Sequence, residues 1–147
     1  MLDLVLAIAH HLIVFSLFGI VFAEFVAVKK GITSVAAAKI ASIDLWYGSL
    51  AALILIVGFS RAIYAAKGWD YYSHNVFFWL KIGTFAVIGL LSVPPTVSFI
   101  RWRRAGIAPS DHEVSRVRLF LHSELALFAP LLAFAAAMAR GYGEWAH

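Results

Sequence analysis

The chain has 147 residues, of which 63% are hydrophobic and 14% charged, with 12 Lys and Arg against 8 Asp and Glu. Soluble domains carry roughly 25% charged residues, and a mean hydropathy of +0.87 places this chain among integral membrane proteins. It has no cysteine, which excludes disulfides, thiolate metal sites, iron–sulfur clusters and covalently attached c-type haem.

Four apolar runs predict an all-α integral membrane four-helix bundle, a single transmembrane domain with spans at about 4–28, 36–66, 76–100 and 116–140. Each reaches the roughly 20 residues that a bilayer crossing needs. Span one follows Met1-Leu2-Asp3, which has no basic n-region, and it exceeds a signal-peptide core, so it reads as a retained helix ending at Lys29-Lys30-Gly31. Thr33 and Ser34 can cap span two, which runs to Ala66 before Lys67-Gly68. A loop follows, Trp69-Asp70-Tyr71-Tyr72-Ser73-His74-Asn75, whose aromatics suit the membrane–water interface. Span three closes at Arg101-Trp102-Arg103-Arg104, and in the polar connection Ser110 or Asp111 can cap span four.

Basic residues gather on one side, at Lys29, Lys30, Lys39, Arg101, Arg103, Arg104, Arg116 and Arg118, against Arg61, Lys67 and Arg140 on the other. By the positive-inside rule the first side is cytoplasmic and both termini are periplasmic, as in a multi-pass protein of the bacterial inner membrane. The same pattern accounts for the net charge of +4 without a nucleic-acid partner; the lipid bilayer is the partner implied. Gly48, Ala51, Gly58 and Ala62 offer span two a face of small residues for helix packing. Pro94-Pro95 and Pro130 should kink spans three and four.

Ionisable groups inside a span are costly and call for partners. At a rise of about 1.5 Å per residue, His10 and His11 lie roughly 6–8 Å outward of the midplane and Glu24 roughly 13 Å inward, so they belong to different sites. Lys81 and Arg61 share the outer level, with His74 at the mouth. Histidines and bases without an acid call for an anionic ligand, and a haem meets that need, its iron taking imidazole and its propionates taking Arg and Lys. Asp3, His10, Leu17 and Glu24 fall on one seven-residue stripe, which favours His10 as the inward histidine and leaves His11 as the alternative. On the inner level, Glu24, Asp44 and Glu124, with Tyr47 one turn from Asp44, can relay protons, bind a divalent ion, or be neutralised by Arg118 and Lys39 in an ion-pair network.

The residues Leu6-Ala7-Ile8-Ala9-His10-His11, Asp44-Leu45-Trp46-Tyr47-Gly48, Phe78-Trp79-Leu80-Lys81, Ser92-Val93-Pro94-Pro95-Thr96 and Ser123-Glu124-Leu125 resemble a bacterial four-span membrane family of unknown function. More distantly the chain resembles the copper-resistance-D-type proteins and the haem-containing membrane protoporphyrinogen oxidases. His10, Ser16, Phe18, Gly19 and Trp79-Leu80-Lys81 are similar to the oxidases' diagnostic positions, although Lys81 directly follows Leu80 where the oxidases have Trp-Leu-x-x-Lys. The resemblance implies haem b with His10 at the iron and Lys81 as a possible second ligand.

The expected function is therefore a haem b-binding membrane protein with a redox, electron-transfer or oxidase-like role and a redox partner or quinone. His10 or His11 would be axial, Lys81 a ligand or propionate partner, and Arg61 a propionate partner. The alternatives are a small ion or metal transporter or channel, for which four spans would require a homo-oligomer, and an accessory membrane subunit.

Overall fold

A computed structural model describes residues 1–64 and 68–145. Its helices are α1 (Leu2–Ala27), α2 (Ser34–Tyr64), α3 (Gly68–Ser73), α4 (Val76–Ala105) and α5 (Asp111–Ala139). The four long ones are apolar enough to cross a membrane, and the shortest, at 26 residues, spans roughly 39 Å against a hydrocarbon core of about 30 Å. Outward-facing leucines, valines and phenylalanines such as Leu12, Phe15, Leu90 and Leu119 form the lipid-facing surface of this multi-pass membrane protein.

Short connections make the long helices antiparallel, and they pack in a ring: α1 on α2, α2 on α4, α4 on α5, and α5 back on α1. The α4–α5 seam is the most extensive of the four and α1–α5 the thinnest. One end carries the 28–33 and 106–110 connections with most of the Lys and Arg; the other carries the termini and α3. We call the adjoining halves the basic half and the terminal half. Burial is concentrated in the basic half, where Leu17, Val21, Val28, Phe99, Val117 and Leu121 are almost fully enclosed, whereas α1 has no buried residue before Ile13.

Several element boundaries differ from expectation. The α4 helix continues five residues past position 100 because arginines are good helix formers; it stops where Gly106 takes a left-handed conformation (φ 65°) and donates to the Trp102 carbonyl. The α5 helix starts at Asp111 rather than 116, since Ser110 and Glu113 make a reciprocal capping box. Thr33 caps α2 as expected, accepting from the Ala36 N–H at 3.2 Å. Span two was expected to reach Ala66; α2 is described to Tyr64, and Ala66 and Lys67 lie outside the described residues, as do Ala146 and His147. Both α4 and α5 run without interruption through Pro94-Pro95 and Pro130. In the small-residue face of α2, Ala62 is buried and Gly58 meets α1, but Gly48 has open space where a Cβ would stand, so it does not serve as a packing contact.

The expected interfacial loop contains α3, which tertiary contacts hold in place. The Tyr71 hydroxyl donates to the Met138 carbonyl at 2.9 Å and the Trp79 indole to the Ser73 carbonyl at 2.9 Å. Asn75, fully buried, ends this segment and caps α4: its Oδ1 accepts from Phe77 and Phe78, and its Nδ2 donates to the Tyr142 carbonyl at 3.0 Å. One side chain thus joins the start of α4 to the chain after α5. Asn75→Ala is expected to lower stability by about 2 kcal/mol, the upper end for a lost helix cap, read as an earlier thermal transition in detergent. An unchanged transition would show the cap to be dispensable.

Candidate functional site

Two polar clusters occupy the bundle, one in each half. In the terminal half, the ring of His10 lies against α2 at Gly58, where a Cβ would stand 3.7 Å from His10 Cε1 and 3.8 Å from Nδ1. The imidazole thus packs beside this stretch of α2, and His10 Nδ1 is buried there without a hydrogen-bond partner. Arg61, just beyond Gly58 on α2, likewise has a buried Nε with no partner. Lys81 on α4 is half-buried, with its ammonium 5.4 Å from the ring centroid of Phe78. Trp69 and Tyr72 pack on that ring at 6.1 and 5.7 Å. His10, Arg61 and Lys81 lie within electrostatic reach of one another, and among the described residues no carboxylate joins them. The ion pairs among the described residues lie elsewhere, at His74–Asp70 and Arg101–Glu113.

His11 faces outward, its Nδ1 2.7 Å from the Ala7 carbonyl, so the local backbone already occupies it. His74 interacts with Asp70, its Nδ1 2.9 Å from the Asp70 carbonyl, at the edge of α3.

In the basic half, Glu24, Asp44 and Glu124 are 2%, 5% and 1% exposed. The Tyr47 hydroxyl crosses the bundle from α2 to α5 and donates to Glu124 Oε2 at 3.4 Å; Thr96 on α4 donates to Asp44 Oδ1 at 3.0 Å. Glu24 Oε1 and Glu124 Oε1 have no hydrogen-bond partner. Thr96 was missed in the sequence, although it lies at the depth of Asp44 and directly follows the noted Pro94-Pro95 pair.

The expected ion-pair network with Arg118 and Lys39 is absent. Arg118 turns to α1 instead, where it donates to the carbonyls of Phe25 and Val28 and covers the Phe25 ring at 4.4 Å. The last turn of α1 has no basic residue, so Arg118 supplies the positive charge that its C-terminal carbonyls attract. Lys39 is exposed. Among the described residues, no group of three His, Asp or Glu side chains has metal-cage geometry.

The decisive comparison is a family model that covers residues 2–143, a stretch that includes every residue of both clusters. The chain belongs to the DUF2214 family. DUF2214 is described as a predicted membrane protein, in agreement with the four spans, and that description assigns no chemistry. No curated protein and no solved structure matches the chain.

Proposed function

We propose that this DUF2214 protein binds haem b in the terminal half of its bundle and serves as a membrane redox or electron-transfer protein. The observation that carries the proposal is the pairing of two buried nitrogens without hydrogen-bond partners, His10 Nδ1 and Arg61 Nε, beside Lys81, with no acid joining them among the described residues. Unmatched cationic groups inside a bilayer are unfavourable, so an anion belongs there, and the imidazole adds a ligand for a metal that the anion would carry. Haem b fits this donor set: its iron takes an imidazole nitrogen and its propionates take Arg and Lys. When bound, it would supply reversible one-electron chemistry.

In this proposal His10, whose ring packs beside Gly58 of α2, would supply an imidazole nitrogen to the iron. Arg61 would hold a propionate, and Lys81 would hold the other or serve as a second ligand. The remote resemblance to haem-containing membrane oxidases points the same way.

Titration of haemin into protein prepared from haem-deficient cells is expected to give a red-shifted Soret band that saturates at one equivalent per chain. Absence of saturable binding would overturn the proposal. Transport of a small ion or metal is the alternative that the buried acids favour, but broken helices, the feature expected of such a path, are absent where α4 and α5 pass their prolines.

A further inference from the structure

The second cluster raises a question independent of what the terminal half binds: what neutralises three carboxyl groups enclosed in the middle of a membrane protein? An isolated charge buried there costs several kcal/mol. Every helix of the ring faces the cluster, α1 with Glu24, α2 with Asp44 and Tyr47, α4 with Thr96, and α5 with Glu124. The nearby cations are all committed elsewhere or exposed. Arg118 holds the Phe25 and Val28 carbonyls, Arg101 pairs with Glu113 at the surface, and Lys39 and His122 are exposed.

Hydrogen bonding leads to the same answer. An ionised carboxylate only accepts, and both hydroxyls in reach are already used, Tyr47 on Glu124 and Thr96 on Asp44. Glu24, on a third helix, is almost fully buried, and its Oε1 receives no hydrogen bond. An acid form of any of the three would supply the missing O–H donor as well as remove a charge. Buried apolar side chains flank the site along the helices, Phe99, Trp102 and Val117 toward the basic end and Leu17, Ile54 and Phe128 toward the termini.

We propose that Glu24, Asp44 and Glu124 form a proton-binding site sealed inside the basic half, in which carboxylic acids share protons with one another and with Tyr47. Each proton taken up converts one carboxylate to an acid whose O–H donates to a neighbouring carboxyl oxygen. Because the flanking apolar side chains exclude water, exchange with solvent requires the helices to part, so protons are held rather than freely equilibrated.

Infrared spectroscopy of the full chain in sodium-free liposomes tests this directly. A carboxylic-acid C=O band is expected at neutral pH, shifting only slowly after transfer to D2O. Glu24→Gln, Asp44→Asn and Glu124→Gln should each remove part of the band, and Tyr47→Phe should move it without removing it. A wild-type spectrum at neutral pH with carboxylate bands alone would overturn the proposal, whether or not the variants fold. So would an acid band that disappears on adding sodium at constant pH, which would assign the site to a metal cation.

Discussion

Arg118→Ala is expected to destabilise the bundle by about 3 kcal/mol, from hydrogen bonds to a charged group worth about 1.5–3 kcal/mol each. Two such bonds run from its guanidinium to the carbonyls of Phe25 and Val28, where α1 ends without a base of its own. Removing them leaves carbonyls without donors at a helix end, where the peptide dipoles leave partial negative charge. The position magnifies the effect, because the α1–α5 seam that Arg118 bridges is the thinnest in the ring. Hydrocarbon surroundings also give helices little apolar drive to associate, so specific polar ties carry a larger share of the stability. Lysine at this position keeps the charge but lacks the planar fork that serves two carbonyls, so Arg118→Lys should recover only part of the loss. Unfolding in mixed micelles with increasing dodecyl sulfate reads both effects, and an Arg118→Ala midpoint equal to wild type would remove this tie from the account.

His10→Ala is expected to abolish saturable haem binding, whereas His11→Ala should leave it within a factor of about two, well under the tenfold that 1.4 kcal/mol represents. The asymmetry follows from geometry. His10 sits on Gly58 with an unpartnered nitrogen, while His11 faces lipid and its Nδ1 meets the Ala7 carbonyl. Gly58 offers a subtler control. In Gly58→Ala the added Cβ would stand at 3.7 Å from His10 Cε1, an ordinary contact, so binding should survive. In Gly58→Leu the longer side chain must enter the space of the ring, and binding should fall with the fold intact by circular dichroism. Equal binding by the His10 and His11 variants would contradict the assignment of His10.

Much of this arrangement was legible in the sequence because membrane helices obey simple constraints. Apolar length gave the four spans, and the fixed rise per residue separated His10 from Glu24 and grouped Glu24, Asp44, Tyr47 and Glu124 at one depth. What failed were features decided by contacts between distant segments. The short helix α3 is tied down by Tyr71 reaching Met138, 67 residues away, a contact that leaves no local signature. Charge proximity in sequence assigned Arg118 to the acids, but a helix end on α1 competes for it and wins. The arginines at 101, 103 and 104 marked the edge of the apolar run and not the end of α4, since hydropathy reports the membrane boundary while capping reports the helix boundary.

The central claim is that an iron-bearing anion occupies the cationic cluster of His10, Arg61 and Lys81. Its most direct test is the reduced-minus-oxidised absorption spectrum of the wild-type protein purified from haem-replete cells. The account predicts a red preparation whose Soret band moves on dithionite reduction and whose pyridine haemochrome is that of haem b at one per chain. A colourless preparation from such cells would contradict it.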